Sequence, residues 1–201
     1  QPTSDALDHG RDQLRRMLED RPVMTMHIRR DDEVWNWAVR AFAGGDLAFL
    51  VYWERAPPAS GSDANHTYPR PGQVALIRIR PLPDSTTASF EVAWSCFFYE
   101  TLNLKNTARY LALFEEAWCG QVGRDDYVEG NARLEFLAIE ETRRFYADSW
   151  APWCASKGIK STPRRWYVGG PTSYEKWAET RSGREVREFW ANSFDKKFAG
   201  Q

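Results

Sequence analysis

Two glutamates on predicted central helices are the residues best placed to do chemistry. Glu100 lies in the most apolar run of the chain, and Glu141 lies on a long helical segment further on; Glu91 is a third acidic residue of the same kind. Two carboxyl groups that face one cleft can divide the roles of general acid and general base, because different surroundings push their pKa values apart. The pair is therefore compatible with a hydrolase, of peptidase or glycosidase type, that uses Glu100 with Glu141.

The same glutamates also have a purely structural interpretation. Arg133, Arg143 and Arg144 share the helical segment of Glu141, and Arg109 belongs to its neighbour. Buried glutamates are usually paired, and the planar guanidinium group of arginine suits a carboxylate well. We therefore expect arginine–carboxylate pairs between the helices, and this expectation competes with the hydrolase hypothesis.

The segment from Tyr99 to Asn103, with the sequence YETLN, resembles the metal-binding helix of zincin metallopeptidases. In that family the pattern is H-E-x-x-H, in which both histidines hold Zn²⁺ and the glutamate activates water. Here Tyr99 and Asn103 stand at the ligand positions and Glu100 at the position of the base. The predicted order of elements over residues 47–150 is also similar, with Glu141 as a further acidic residue downstream. The resemblance implies a degenerate zincin-like domain without its metal ligands.

Aromatic and histidine side chains are the other candidates for binding. A loop rich in Pro, Gly and Ser is predicted over residues 56–72, and a second exposed segment is predicted over residues 164–170. Aromatic rings in such segments can stack on sugars or peptides. Most other tryptophans fall on apolar helix faces and are expected in the core. The binding candidates are His66, Tyr68, Tyr99, Asn103, Trp166 and Tyr167.

Several kinds of site lack sequence support. The chain has no glycine-rich phosphate loop, no paired CxxC motif and no nucleophile elbow. Its three histidines are far apart and none has a neighbour at metal-ligand spacing, so neither a metal nor a cofactor is expected. Cys96, Cys119 and Cys154 allow at most one disulfide. Their apolar surroundings favour small buried hydrophobes, although a bridge stays open.

Periodicity divides the chain into a strand-like first half and a helical second half. Strands are predicted over residues 23–29, 34–43, 47–53 and 74–80. Helix spacing also fits 34–43, but Trp35, Trp37, Val39 and Ala41 alternate and Gly44-Gly45 resembles a hairpin turn, so a strand is preferred. Helices are predicted over residues 4–20, 87–103, 107–120 and 126–151, the last ending before Pro152, with a short helix around Trp177 and a final one to Phe198.

These elements predict a single α+β domain over residues 1–201, with a four-stranded antiparallel meander from the first half packed against four to five helices from the second. The net charge of −1 gives no general attraction to nucleic acid. No apolar run is long enough to cross a bilayer. The first residue is Gln, which fits either a removed secretory leader and an extracytoplasmic location, or a trimmed cytoplasmic chain.

The leading hypothesis for function is a non-catalytic binding or interaction module. Its partner would be a protein, a peptide or a carbohydrate, and its surface would combine the loop over residues 56–72 with the segment over residues 164–170. The hydrolase that uses Glu100 with Glu141 is the alternative from another class. A structural or homo-oligomer-forming role would account for the ten tryptophans equally well.

Overall fold

The computed structural model of the chain describes residues 1–19, 28, 32–45, 47–57, 62–69, 73–81 and 86–198. The architecture is α+β, as predicted, with a small sheet packed against helices. The predicted strand over residues 23–29 lies outside the described residues except for Ile28, which is buried.

Helix α1 spans Ser4–Leu18 and begins where the Thr3 hydroxyl accepts a hydrogen bond from the Ala6 backbone N–H. Its apolar side chains pack in the main core. A Cβ atom at Gly10 would overlap the backbone carbonyl of Val39, so this glycine lets α1 approach the next helix closely. The predicted helix over residues 4–20 is therefore confirmed as far as Leu18, and residue 20 lies outside the described residues.

Residues 34–43 form a helix, and the preferred strand prediction is wrong. Helix α2 spans Glu33–Phe42. The side chains that it buries recur at helical rather than alternating spacing, and its contact with α1 stabilises that choice. Gly44 and Gly45, with φ of 93° and 49°, end the helix in a turn instead of joining two strands. The buried residues are Val34, Ala38, Val39, Ala41 and Phe42.

The sheet has three described strands and is mixed, so the predicted four-stranded antiparallel meander is wrong. Strands β1 (Val51–Arg55), β2 (Ala64–Thr67) and β3 (Ala75–Ile79) have the order β1-β3-β2. β1 runs parallel to β3, and β2 runs antiparallel to it. The prediction failed because residues 34–43 supply no strand, and because β2 forms within the segment that was predicted as a loop.

The second half is helical, as predicted. Helix α3 (Thr87–Lys105) packs on β2 and β3, and α4 (Thr107–Trp118) and α5 (Arg124–Phe145) follow it. The helical run does not end before Pro152, as it was predicted to. A π-helical turn, Tyr146–Trp150, leads into α6 (Ala151–Ser156). Pro152 lies in the first turn of α6, where a proline is tolerated. A 3-10 turn (Pro163–Trp166), α7 (Tyr174–Ala178) and α8 (Arg181–Phe198) complete the described chain.

Helix α3 is central, because aromatic side chains on several of its sides are buried. Phe90, Trp94 and Phe97 are fully buried and Phe98 nearly so. Trp37 of α2 packs edge-on against Trp94 and stacks on Phe98, and Trp150 of the π-helical turn stacks on Trp94. Within the described residues, no helix is long and apolar enough to cross a membrane.

The three cysteines are free thiols. Burial raises the pKa of Cys96 and of Cys154 to about 12, so both behave as the small hydrophobes that were expected. Cys119 departs from that expectation because it lies exposed just after α4.

Candidate functional site

The candidate site is a cluster of polar and aromatic side chains on and around one face of α3. Positions 99 and 103 are one helical turn apart and so lie on the same face, with Glu100 beside them. β2 and the 3-10 turn both pack against α3. We call the set formed by His66, Tyr99, Glu100, Asn103, Tyr167 and the α5 residue Glu135 the α3 cluster.

His66 on β2 and Glu100 on α3 form a nearly buried pair. His66 Nδ1 donates to Glu100 Oε2 over 2.6 Å, and the two side chains are only 12% and 9% exposed. Burial alone lowers the pKa of the imidazole, but the hydrogen bond and charge of Glu100, with the charge of Glu135, outweigh burial and raise it. The carboxylate thus has a histidine partner and not the arginine that the sequence predicts.

Glu135 joins the two positions at which the zincin pattern has histidines. Tyr99 donates its hydroxyl hydrogen to Glu135 Oε2 over 2.5 Å, and Asn103 Nδ2 donates to the same oxygen over 3.1 Å. The Tyr110 hydroxyl donates to Asn103 Oδ1 over 3.3 Å. Burial raises the pKa of Glu135, the charge of Glu100 raises it further, and the Tyr99 hydrogen bond opposes the rise.

Tyrosine rings pack within and around the α3 cluster. The Tyr68 ring packs edge-on against His66 at 4.8 Å and lies 5.6 Å from the Tyr110 ring. The Tyr167 ring lies 5.6 Å from that of Tyr99. Tyr167 has a φ of 60° and is the only described residue other than glycine with positive φ. Such strain in a bulky residue persists only where surrounding contacts hold it, and it concentrates at functional sites.

The pairing of β2 with β3 fixes the direction of its backbone groups. Arg80 N–H donates to Asp63 C=O over 2.9 Å at the start of the ladder. Hydrogen-bonded pairs alternate along an antiparallel ladder, so Asn65 and Thr67 direct their backbone groups towards β3.

The remaining two residues of β2 direct their backbone groups to the outer edge. These residues are Ala64 and His66, and no described strand pairs with them on that side. The Ala64 carbonyl accepts from the Ser62 hydroxyl over 2.7 Å. The Ala64 N–H and both backbone groups of His66 therefore point to this outer edge of β2, along which no described strand lies.

Glu141 does not meet Glu100. Its side chain is 39% exposed and accepts from Lys105 Nζ over 3.2 Å at the surface, so Glu141 has a partner other than the one that the hydrolase hypothesis gave it. The reason is that α5 turns a different face towards α3. That face carries Asn131, Glu135, Ala138 and Thr142.

Trp166 is not a surface binding residue, because its side chain is fully buried. Its indole N–H donates to Glu91 Oε1 over 2.9 Å, and the indole of Trp150 donates to the same oxygen over 2.9 Å. The Thr162 backbone N–H donates to both carboxylate oxygens. Glu91 is thus held by three neutral donors, and the predicted buried glutamate–arginine pair is absent among the described residues. An arginine–carboxylate pair does join two helices elsewhere, from Arg124 on α5 to Asp195 on α8.

The sequence analysis missed Glu135, which takes the place proposed for Glu141. A signal for it existed: Asn131, Glu135, Ala138 and Thr142 recur at three and four residues, which is a stripe of small and polar side chains at helical spacing. A stripe of this kind on a sandwiched helix indicates a polar contact inside the protein. Tyr110 was missed because it shares an apolar stripe with core residues.

The side chains of the α3 cluster are not suited to bind zinc. Tyr99 and Asn103 present hydrogen-bond donors to Glu135, whereas a zinc site needs the lone pairs of histidine, thiolate or carboxylate. Within the described part of the chain, no three His, Cys, Asp or Glu side chains are placed to hold one metal ion.

Six of the residues proposed from the sequence come together in or beside the α3 cluster: His66, Tyr68, Tyr99, Glu100, Asn103 and Tyr167. Glu141 and Trp166 lie outside it. Comparisons with known protein families, with curated proteins and with solved structures found no match to this chain.

Proposed function

We propose that the chain is a non-catalytic binding domain whose ligand is an extended peptide segment. The observation that carries the proposal is the outer edge of β2, along which no described strand lies and where Ala64 and His66, a member of the α3 cluster, direct backbone groups outward. An extended segment can add to such an edge as another strand, with main-chain hydrogen bonds for affinity and alternate side chains for specificity.

The flanks of this edge support a binding role. Tyr68 lies just beyond the end of β2, and Tyr167 lies across α3 from it, so the segments proposed from the sequence as one binding surface both contact this helix or its network. Half-buried tyrosines offer a large contact area with a polar end, which suits peptide recognition.

The hydrogen bonds within the α3 cluster support a role without catalysis. Glu100 is engaged by His66, and Glu135 by Tyr99 and Asn103. A general base must reach a substrate proton, whereas these carboxylates stabilise the contact between β2, α3 and α5. The proposal therefore includes a zincin-like scaffold in which direct hydrogen bonds occupy the place of the metal.

A substitution at Ala64 tests the outer edge. Short peptides are selected from a displayed random library against the wild-type chain, and the best is titrated against Ala64→Pro and Ala64→Val. Proline removes the outward N–H without removing a hydrogen bond to β3, and we expect affinity to fall on the order of tenfold. Valine adds similar bulk and keeps the N–H, so its affinity should stay near wild type. Equal affinities for both variants, or no selectable peptide, would contradict the proposal.

A second candidate is self-association through the outer face of α4. Leu111 and Trp118 lie two turns apart on that helix and are 47% and 56% exposed. Exposed apolar side chains on one helix face suit a contact with a second copy. Sedimentation of the wild type and of Trp118→Lys would test it: a dimer that the lysine variant dissociates supports it, and a wild-type monomer excludes it.

A further inference from the structure

Positive charge is concentrated in the segment that contains the 3-10 turn. Residues 149–174 carry four basic side chains and no aspartate or glutamate, although the whole chain has a net charge of −1. One of the four, Lys157, forms an ion pair with the residue that precedes α2. The other three, Lys160, Arg164 and Arg165, are exposed, and within the described residues none of them forms an ion pair.

A fourth cation without an ion-pair partner joins them from α5. A Cβ atom added at Gly170 would lie 3.6 Å from Arg143 Nη2, so this guanidinium group lies against the end of the basic segment. The Arg143 Nε–H is buried and has no hydrogen-bond partner among the described residues. A guanidinium group can bind both oxygens of a carboxylate through parallel hydrogen bonds. We call the surface formed by Arg143, Lys160, Arg164 and Arg165 the basic surface.

The basic surface adjoins the start of β2. Burial raises the pKa of the Cys96 thiol on α3, and the charge of Glu100 raises it further. The charge of Asp63 also raises this pKa and that of Arg165 lowers it, so both residues lie near the same thiol. Asp63 is exposed and directly precedes β2. Its single carboxylate offsets only part of the positive charge, and a segment paired along β2 would reach the basic surface at this end.

We propose that the basic surface binds an acidic stretch of the peptide segment that pairs with β2, with carboxylate groups at Arg164 and Arg165. Exposed cations attract such a stretch over about 10 Å at moderate salt, which orients the segment and selects its charge. A peptide suits the surface better than a nucleic acid, because the adjoining edge of β2 offers hydrogen bonds to a polypeptide backbone. The inference rests on the proposed function and adds the charge of the segment.

Peptides that differ only in charge test the inference. The peptide selected on the wild-type chain is extended at one end or the other by glutamates or by the same number of glutamines, with both termini blocked. The direction of the segment on β2 decides which end reaches the basic surface, so glutamate should be preferred at one end only. We expect that preference to be about fivefold at about 50 mM salt and to vanish at about 500 mM.

A pair of charge-removing variants locates the effect. Arg164→Gln/Arg165→Gln should lose the preference for glutamate and keep the affinity for the glutamine-extended peptide, because it leaves β2 unchanged. The matched control, Arg11→Gln/Arg16→Gln, also removes two exposed positive charges. These charges lie on α1, which packs beside β1 at the opposite edge of the sheet, so the control should keep the preference. Should the first variant not fold, the four peptides and their salt dependence on the wild type decide.

The outcomes separate this inference from the proposed function. If peptides bind but glutamate has no advantage, has an equal advantage at both ends, or keeps it in Arg164→Gln/Arg165→Gln, the acidic stretch is wrong and peptide binding stands. If no peptide is selected, the proposed function fails, and the basic surface is tested alone by titrating a blocked hexaglutamate against the wild type. Amide chemical shifts confined to residues 160–170 and Arg143 support it. No shift there, or tighter binding of a deoxynucleotide hexamer, overturns it.

Discussion

The hydroxyl group of Tyr99 donates a 2.5 Å hydrogen bond to Glu135, and this bond joins α3 to α5. Asn103, one turn along α3, donates to the same carboxylate oxygen. The side chains of Tyr99, Asn103 and Glu135 therefore meet at one point, as three ligands of a metal ion would, but hydrogen bonds join them. This convergence is the geometric basis of the proposed zincin-like scaffold.

Restoring two histidines tests that scaffold. We expect the double variant Tyr99→His/Asn103→His to bind stoichiometric zinc with Glu135 as the third ligand. The reason is that the side chains at positions 99 and 103 already meet at one oxygen of Glu135. Elemental analysis after dialysis gives the readout. The matched control is Thr101→His/Lys105→His, which has the same spacing on another side of α3. Equal zinc content in the two double variants would contradict the zincin-like resemblance.

Glu91 is expected to stabilise the fold strongly. Trp150, Trp166 and the Thr162 backbone all donate to its buried carboxylate. In Glu91→Gln one acceptor oxygen is replaced by a donor that faces donors, so we expect the free energy of unfolding to fall by about 3 kcal/mol. Urea denaturation measures it. Glu141→Gln at the surface should change stability by less than about 1 kcal/mol, and equal effects of the two substitutions would count against the role of Glu91.

The stability of the chain should fall as the pH rises. The ordinary pKa values are 4.5 for Glu135 and 6.5 for His66, and both are raised in the folded chain. Burial raises the pKa of Glu135. For His66, burial opposes the rise, and the hydrogen bond and charge of Glu100 outweigh it. A raised pKa contributes stability that is full below the ordinary value and is lost as the pH rises through the folded value.

The window for this loss opens above pH 4.5 for Glu135 and above pH 6.5 for His66. We therefore expect the free energy of unfolding to decrease as the pH rises above 4.5 and further as it rises above 6.5, and to decrease less in Glu135→Gln. Urea denaturation at several pH values gives the slope. The control Glu141→Gln should keep the wild-type dependence of the free energy of unfolding on pH. If Glu135→Gln also kept it, the titration of Glu135 would not be its cause.

At position 167, glycine should give a more stable fold than alanine, which is the reverse of their usual order of stability. Its φ of 60° strains any residue with a Cβ atom, by about 1 kcal/mol. Because both substitutions remove the ring that packs on Tyr99, their difference reports the backbone alone. We expect Tyr167→Gly to be more stable than Tyr167→Ala by about 1 kcal/mol in urea denaturation. Alanine at least as stable as glycine would mean that the left-handed conformation is not held in solution.

The helices of the second half were predictable because their packing follows local periodicity. Phe90, Trp94, Phe97 and Leu104 follow one another at spacings of four, three and seven residues, which is helical spacing, and all are buried in the core. This pattern needs no knowledge of distant contacts. The end of the long helical run was not predictable, because Pro152 falls in the first turn of α6, where a missing N–H is tolerated.

The sheet was harder to predict because its pairing is non-local. β2 arises within a segment rich in turn-forming residues, and only the pairing of Ala64–Thr67 with β3 makes it a strand. In the same way, residues 34–43 carry both periodicities, and the close approach of α1 at Gly10 favours the helix. Local pattern cannot decide such cases.

The site was predictable in part. His66, Tyr99, Glu100 and Asn103 were proposed from residue type and spacing, and their contacts bring them into one network. Glu135 was missed because it sits beside apolar neighbours on α5, and its role depends on how that helix is rotated against α3. Rotation of a helix with apolar groups on two faces is set by tertiary packing.

The outer edge of β2 is tested most directly by backbone amide exchange with and without the selected peptide. In the free chain, the amides of Asn65 and Thr67 should exchange slowly because they face β3, and those of Ala64 and His66 should exchange quickly. Bound peptide should slow exchange at Ala64 and His66 and leave the other two unchanged. Unchanged exchange at Ala64 and His66 in the bound state would contradict peptide binding at this edge.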